Sequence, residues 1–328
     1  MRTLRSESEI INSWQNSSSE PLVSVMCLTY NHGKYIEDAL EGFLIQQTNF
    51  PFEVLIHDDA STDNTAEIIR QYQAAYPNII KPVYQTENQW SKGKEVIRKA
   101  QYGRAKGKYY ASCEGDDYWT SPNKLQKQFE YLENNPDCVL CGTRVYVKRD
   151  DSCTPYTIEP NVTPEKLNQL TADDIMEGRL YLKTLSRMCP SAVHKEYNEI
   201  VKNDPASCDW LFVLFCISKA GNQQNRIICV DEVMGCCLEN NHSYWFSKSH
   251  EYKLQNDLNV LLFALKKFNM STYYHKTINN IMSICEALNI TYTGNEIIDK
   301  KLKKNSIINK KMIKKSLNSL INLFKEYI

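Results

Sequence analysis

The stretch FEVLIHDDASTDNTAEIIRQYQAA, residues 52–75, decides the fold. Its first part, Phe52 to His57, is a short apolar run of the kind that fills a buried parallel strand. The run stops abruptly at Asp58-Asp59-Ala60-Ser61-Thr62-Asp63, which is too polar to continue through a core. Asn64, with Glu67 three residues on, matches a helix N-terminal capping box. Ile68, Ile69, Tyr72 and Tyr76 then fall on one helical face. Together these residues make one strand–loop–helix unit.

The same alternation repeats on both sides. Leu22 to Leu28 is an apolar strand, and Ile36, Ala39, Leu40, Phe43 and Leu44 keep the spacing of a helix with one buried face. Ile79 to Tyr84 is a third strand, residues 94–105 a third helix, and Lys108 to Cys113 a fourth strand ending in Glu114-Gly115-Asp116-Asp117. Ser121-Pro122 predicts the start of another helix, with Leu125, Phe129 and Leu132 on its inner face. Strands and helices alternating at this spacing imply an α/β fold, a mostly parallel sheet with helices on both faces. Beyond 150 the pattern loosens. Residues 150–175 read as loop and short helix, and Arg187 to His194 as a strand. Asp209 to Ala220 is an apolar helix stopped by Gly221, which suits a left-handed cap. Asn225 to Leu238 returns to strand character, and everything beyond Trp245 reads as helix. The expected organisation is an N-terminal helical and linker segment (1–20), one α/β domain (21–245) and a helical extension (246–328).

Composition narrows the function. A hydrophobic share of 42% and a charged share of 24% over 328 residues are those of an ordinary globular chain. The formal net charge of zero gives no bulk attraction for nucleic acid. The first residues lack the apolar core of a signal peptide, and no apolar run reaches the roughly 18 residues of a membrane span. A cytoplasmic protein is therefore expected. The 12 cysteines are scattered, and Cys27, Cys216 and Cys229 sit in apolar runs where a reduced thiol behaves as a small hydrophobe. Cys138-x-x-Cys141 is half a zinc pattern with neither a second pair nor an upstream His-x-Glu, and reads as buried strand cysteines.

In an open parallel sheet, ligands bind outside the carboxyl ends of the strands. Those ends carry Thr29-Tyr30-Asn31-His32, Asp58-Asp59 and Glu114-Gly115-Asp116-Asp117. One glycine, Gly33, follows the first strand, so the glycine-rich turn of a dinucleotide site and the phosphate loop of a nucleotide hydrolase are both absent. Clustered acids raise one another's pKa unless a cation shares them. A divalent ion bridging such carboxylates to a diphosphate removes the conflict. Cys113, Tyr118 and Trp119 around the third cluster point to a partly enclosed site, whereas Asp63 and Asn64 read as solvated or capping.

The residues now support a specific resemblance. Val23-Ser24-Val25 with Thr29-Tyr30-Asn31, then Asp58-Asp59-Ala60-Ser61-Thr62-Asp63-Asn64-Thr65, then Gly107-Lys108-Tyr109-Tyr110 and Gly115-Asp116-Asp117 resemble, in order and spacing, the family-two glycosyltransferases. Those are inverting enzymes of the GT-A fold. The stretch Glu114-Gly115-Asp116-Asp117-Tyr118-Trp119 with Lys124-Leu125-Gln126-Lys127-Gln128 resembles one bacterial branch. The likeness covers residues 21–147, rests afterwards on Asp209-Trp210 and Asp231-Glu232-Val233, and is absent past 250. It implies a nucleotide-sugar half (21–147) and an acceptor half (148–245).

The resemblance also implies roles. Thr29 and Asp59 match positions that hold the uracil or ribose of the donor, with Tyr30 and Asn31 beside them. Asp116 and Asp117 match the end of the D-x-D motif that binds Mn²⁺ or Mg²⁺, Asp116 also facing the donor. Glu114 stands where aspartate is commoner, and its longer reach assigns it to the ribose. Asp209 matches the general base, against the alternative of a simple helix cap. Many relatives follow the last strand with Tyr-Arg-x-His; here Cys237-Leu238-Glu239-Asn240 lacks both arginine and histidine, and His242 is the candidate replacement as metal ligand. The implied partners are a nucleotide-sugar donor and a glycan or lipid-linked acceptor. Ile313, Leu317, Leu320, Ile321, Phe324 and Ile328 form one apolar face behind Lys310, Lys311, Lys314 and Lys315. This face suits packing on a domain or a second subunit, or peripheral contact with an anionic membrane. Two alternatives stay open: a non-catalytic nucleotide-sugar-binding protein, and a sugar nucleotidyltransferase, for which the first loop lacks the glycine-rich arginine and lysine signature.

Overall fold

The computed structural model describes residues 3–15, 20–149, 157–159, 161–167, 182–202, 208–221, 223, 226–239, 248–268, 270, 274–287, 290–293 and 296–299. Its strands are β1 (Val23–Thr29), β2 (Phe52–Asp58), β3 (Ile80–Tyr84), β4 (Tyr109–Ser112), β5 (Tyr118–Trp119), β6 (Leu140–Arg149), β7 (Thr157–Glu159), β8 (Met188–Pro190) and β9 (Ile227–Glu239). They form one sheet in the order β3-β2-β1-β4-β8-β6-β9-β5, with β7 beside β6. The run β3-β2-β1-β4 is parallel throughout, as is β6 with β9. β8 joins the two parallel blocks in antiparallel sense, and β5 closes the far edge antiparallel to β9. The expected α/β architecture, a mostly parallel sheet with helices around it, is what forms.

Two compact units divide the chain: Met1–Pro205 with Ala220–Asn241, and Ala206–Lys219 with His242–Ile328. The first contains the sheet. In β1 nearly every side chain is buried, and Ile36, Ala39, Leu40, Phe43 and Leu44 of the helix Ile36–Leu44 are fully buried in the same core. Each of the isoleucine, leucine and phenylalanine side chains contributes about 1.5–3 kcal/mol by leaving water. The N-terminal helix Glu7–Asn12 joins this core through Ile10, and Glu7 accepts the Asn78 and Ile79 amides at 2.7 and 3.1 Å. In the second unit, Phe215 and Phe263 meet Phe268 edge-on at 5.3 and 5.8 Å. Gly221, past the end of the helix Asp209–Ala220, adopts φ +57, the left-handed value expected of it.

Four local expectations are corrected. Asn64 caps its helix without a side-chain hydrogen bond, while Asp63, one residue earlier, accepts the Thr65 amide at 3.0 Å; a capping box forms instead at Ser6 with Glu9. The next helix starts at Lys124, with Asn123 at its N-cap, rather than at Ser121-Pro122; Pro122 and Asn123 form the preceding turn. Arg187 to His194 is strand only over Met188–Pro190; Pro190 then stands at the N-cap of the helix Ser191–Ile200. Beyond Trp245 the helices His250–Lys267 and Tyr274–Ala287 are followed by an antiparallel pair, Ile290–Thr293 with Glu296–Asp299. The basic amphipathic tail, 310–328, and His242 lie outside the described residues.

Candidate active site

From β1 the chain turns to β2 on one side, while β4 lies on the other, so strand order reverses between β1 and β4. Such a switch point opens a crevice at the carboxyl ends of the strands. Thr29 ends β1 there, buried, its Oγ1 shielded and without a hydrogen-bond partner. The His32 Nδ1 is likewise shielded and unpartnered. Between them passes Gly115, whose amide donates to the Leu28 carbonyl at 2.9 Å. A Cβ on Gly115 would fall 2.7 Å from Thr29 Oγ1 and 3.0 Å from His32 Nδ1, so only glycine brings the acidic loop this close.

The loops after β1 and β2 are laced together. Asn31 adopts φ 55, a left-handed conformation that asparagine tolerates better than most residues. Its Oδ1 accepts the Thr62 amide at 2.8 Å, and its own amide donates to Ser61 Oγ at 2.9 Å. The Gly33 amide donates to Asp63 Oδ2 at 2.9 Å, and Asp58 accepts the Ser61 hydroxyl. Tyr30 projects from this rim, 44% exposed. Asp59 is buried, and its two oxygens accept the amides of Gln89 and Trp90 at 2.7 and 3.0 Å. It thereby ties the loop after β3 to the end of β2.

Across the crevice, Glu114, Asp116 and Asp117 each present a carboxylate oxygen, all within 4.8 Å of one another. Asp117 is buried and accepts the Leu238 amide at 2.9 Å. Burial, and then the neighbouring Asp116, push its carboxyl up to about 8, against the smaller opposing pull of the Leu238 amide, Cys237 and Lys183. His32 Nε2 lies 3.9 Å from Asp116 Oδ2. Behind the cluster Trp119 is fully buried, donating from Nε1 to the Leu185 carbonyl at 2.8 Å and meeting Phe43 edge-on at 5.0 Å. Lys124 stacks its ammonium over that indole at 4.4 Å, and burial lowers its pKa to about 7. Three converging carboxylates, one forced toward its protonated form, are a donor set that suits a hard divalent cation such as Mg²⁺ or Mn²⁺. The cysteines give no such set: Cys138 and Cys141 are buried free thiols, and no other group of candidate metal ligands occurs among the described residues.

In the second unit, Asp209 is exposed and occupies the first turn of the helix Asp209–Ala220. The Phe212 amide bonds the Cys208 carbonyl at 3.1 Å, so Cys208 holds the cap position and Asp209 lies just inside the helix. Thr29, Tyr30, Asn31, Asp59, Glu114, Asp116 and Asp117 all belong to the first unit. Sequence reasoning did not select His57, which lies 3.6 Å from Asp59, nor Gln89 and Trp90, which act through backbone amides that no side-chain pattern reveals.

Comparison with known proteins bears on this geometry. The family model described as glycosyl transferase family 2 matches residues 24–187. An uncharacterised protein of Mycobacterium tuberculosis is 42% identical over 229 residues, covering 69% of this chain and 61% of its own length. The chain thus spans about three fifths of the mycobacterial relatives it matches, 61% of their length. The putative teichuronic acid biosynthesis glycosyltransferase TuaG of Bacillus subtilis is 40% identical over 113 residues, 34% of this chain and 42% of TuaG. Among solved structures, S. aureus TarS 1-349 in complex with UDP-GlcNAc aligns with a TM-score of 0.58 at 19% identity, covering 81% of this chain and 72% of that one. The mannosyltransferase PcManGT from Pyrobaculum calidifontis, in complex with GDP-Man and Mn²⁺, aligns with a TM-score of 0.51 at 16% identity, covering 86% and 80%. At these identities the likeness establishes the fold, the GT-A fold that the motifs imply.

Proposed function

Since the chain belongs to glycosyl transferase family 2, we propose that it is an inverting, metal-dependent enzyme that moves a sugar from a nucleotide diphosphate donor, UDP-linked, to an acceptor hydroxyl. The observation that carries this reading is the convergence of Glu114, Asp116 and Asp117 at the switch point of the sheet, with Asp117 pushed toward protonation by burial and by Asp116. The neighbours support it: TarS is solved with UDP-GlcNAc, and PcManGT with GDP-Man and Mn²⁺. TuaG, by its name, acts in teichuronic acid biosynthesis, which favours a surface polysaccharide or lipid-linked glycan as the setting. Among the described residues no helix is long and apolar enough to cross a membrane.

In this reading Thr29, Tyr30, Asn31 and Asp59 receive the nucleoside, Glu114 reaches the ribose, and Asp116 and Asp117 hold Mn²⁺ or Mg²⁺. His242 is a further candidate ligand. When bound, the ion supplies Lewis-acid stabilisation of the leaving diphosphate. Asp209 removes the acceptor proton as the hydroxyl attacks the anomeric carbon, and the nucleoside diphosphate departs from the opposite face. Release of nucleoside diphosphate from a panel of nucleotide sugars, with Mn²⁺ and with EDTA, tests the reading. Metal-dependent release is expected, and full release in excess EDTA would remove the ion from the mechanism. A donor that binds and is never cleaved with any acceptor would leave a binding protein instead.

A further inference from the structure

We propose that His57 is a positioning residue for nucleotide recognition: from inside the sheet it fixes the Asp59 carboxylate and, through it, the loop carrying Gln89 and Trp90. This deepens the proposed function and rests on its assignment of Asp59 to the donor nucleotide.

His57 sits in β2 with its side chain 1% exposed. Side chains two residues apart along a strand point to the same face, so Asp59, just past the strand end, returns its carboxylate toward His57. The Nε2–Oδ1 distance is 3.6 Å, and neither ring nitrogen has a hydrogen-bond partner. A buried, unsatisfied imidazole is uncommon enough to need a reason. Burial favours the neutral ring and outweighs the attraction of Asp59 and Asp58, while the Arg104 guanidinium also opposes protonation. A neutral ring carries one N–H. With Asp59 as the nearest acceptor, the tautomer that places it on Nε2 aims it at Oδ1.

The carboxylate can then be followed lone pair by lone pair. A carboxylate offers about four acceptor sites. The Gln89 and Trp90 amides take one on each oxygen, and the His57 Nε2–H directs itself at another. What remains suits one incoming N–H or O–H donor, such as a base imide or a ribose hydroxyl. Because the imidazole is a neutral donor, it orients Asp59 without cancelling the charge that the incoming donor meets. Without the His57 N–H the carboxylate keeps the Gln89 and Trp90 amides but loses the contact that steadies it from inside the sheet, so the loop they belong to is held less firmly.

The test uses the full chain and UDP as probe, with Mn²⁺ present. His57→Phe keeps a flat ring and removes the donor; His57→Gln restores an N–H close to the Nε2 position. His57→Phe is expected to weaken UDP about tenfold, as Asp59 loses the N–H directed at its Oδ1. It should leave kcat at saturating donor within about twofold, the pattern of a lost binding contact. His57→Gln should recover most of the affinity. Hydrogen exchange at the Gln89 and Trp90 amides should quicken in His57→Phe and return to the parental rate in His57→Gln, which a general loss of packing would not do. In an Asp59→Ala background, His57→Phe should have no further effect on UDP. If His57→Phe fails to fold, the comparison moves to His57→Asn against His57→Gln, since asparagine is too short to reach. Equal UDP affinity and equal amide protection in those variants would overturn the proposal. Asp59→Ala weakening UDP while His57→Phe does not would sink this inference alone. Unchanged affinity in Asp59→Ala would remove the Asp59 assignment and this inference with it.

Discussion

In the proposed function, ion binding by the acid cluster is a proton-linked event. Without an ion, burial and Asp116 hold the Asp117 carboxyl near pH 8, whereas an unfolded aspartate titrates at 3.8. A divalent cation binds the carboxylate and must displace that proton. Half of the sites are deprotonated at pH 8 and about one in a hundred at pH 6, so apparent Mn²⁺ affinity should fall between them by a factor on the order of tens. Stability moves in the sense opposite to that of an ion-paired acid. Between about pH 4 and pH 8 the folded state holds a proton that the unfolded state has lost, so the metal-free protein loses stability as pH rises through that window. Asp117→Asn keeps the acceptor for the Leu238 amide and removes the titration. It should lose most Mn²⁺ affinity, flatten the pH dependence of what remains, and raise the metal-free melting temperature at pH 8. Free Mn²⁺ can be followed by electron paramagnetic resonance at pH 6, 7 and 8, with melts in EDTA alongside. Mn²⁺ affinity that varies less than about twofold over this range would refute the argument, because a buried carboxyl cannot both hold its proton and bind an ion without competition.

Further outcomes can be measured on single substitutions. Gly115→Ala should cost about 1–3 kcal/mol and weaken the donor, since its Cβ would press on Thr29 and His32; chemical denaturation with parental stability would show that the loop yields freely. Asp59→Ala should raise the donor KM and speed hydrogen exchange at Gln89 and Trp90, whose amides it holds; unchanged UDP affinity would remove it from the donor site. Asp209→Asn should lower kcat by about 10²–10⁴ with donor Kd unchanged, as expected for loss of a positioned base. Because Asp209 lies inside the first turn rather than at the cap, its melting temperature should barely move, and normal turnover would take it off the catalytic list.

What could be read from the sequence was what repeats or is local. The alternation through residue 134 follows from apolar runs, and the buried face Ile36, Ala39, Leu40, Phe43 and Leu44 is fully recovered. The strand-end acids were legible because a sheet of this kind presents strand ends to ligand. The failures fall where local pattern and the observed contacts diverge. Asn64 and Glu67 have the spacing of a capping box, yet the helix start is held by Asp63, which accepts the Thr65 amide and, from another loop, the Gly33 amide. Met188-Cys189-Pro190 has strand composition, yet the chain enters a helix at once. The pair Ile290–Thr293 and Glu296–Asp299 carried a signal that helical periodicity obscured, the β-branched residues Ile290, Thr291 and Thr293. His57 was hidden because it ends an apolar run and looks like core until its neighbour is placed beside it.

The two sides of the crevice differ in how they are built. The rim proposed for the nucleoside is laced by its own hydrogen bonds: Asn31 holds Thr62, Asp63 holds Gly33, and Asp59 holds Gln89 and Trp90. A ligand there meets a preorganised surface and costs little ordering. The acid cluster is of another kind: burial and Asp116 push the Asp117 carboxyl up, and three carboxylates converge where the proposed diphosphate would lie. Nucleoside recognition should then be independent of the ion, and diphosphate recognition should depend on it. Uridine and UDP separate these contributions. Mn²⁺ should leave uridine affinity unchanged within about twofold and raise UDP affinity by tenfold or more, and UDP should raise Mn²⁺ affinity by the same factor, since coupling between two bound species is reciprocal. Calorimetric titration of each ligand with and without the other measures both. Equal dependence of uridine and UDP on the ion would mean that the ion orders the rim itself, and the division between the two sides would be wrong.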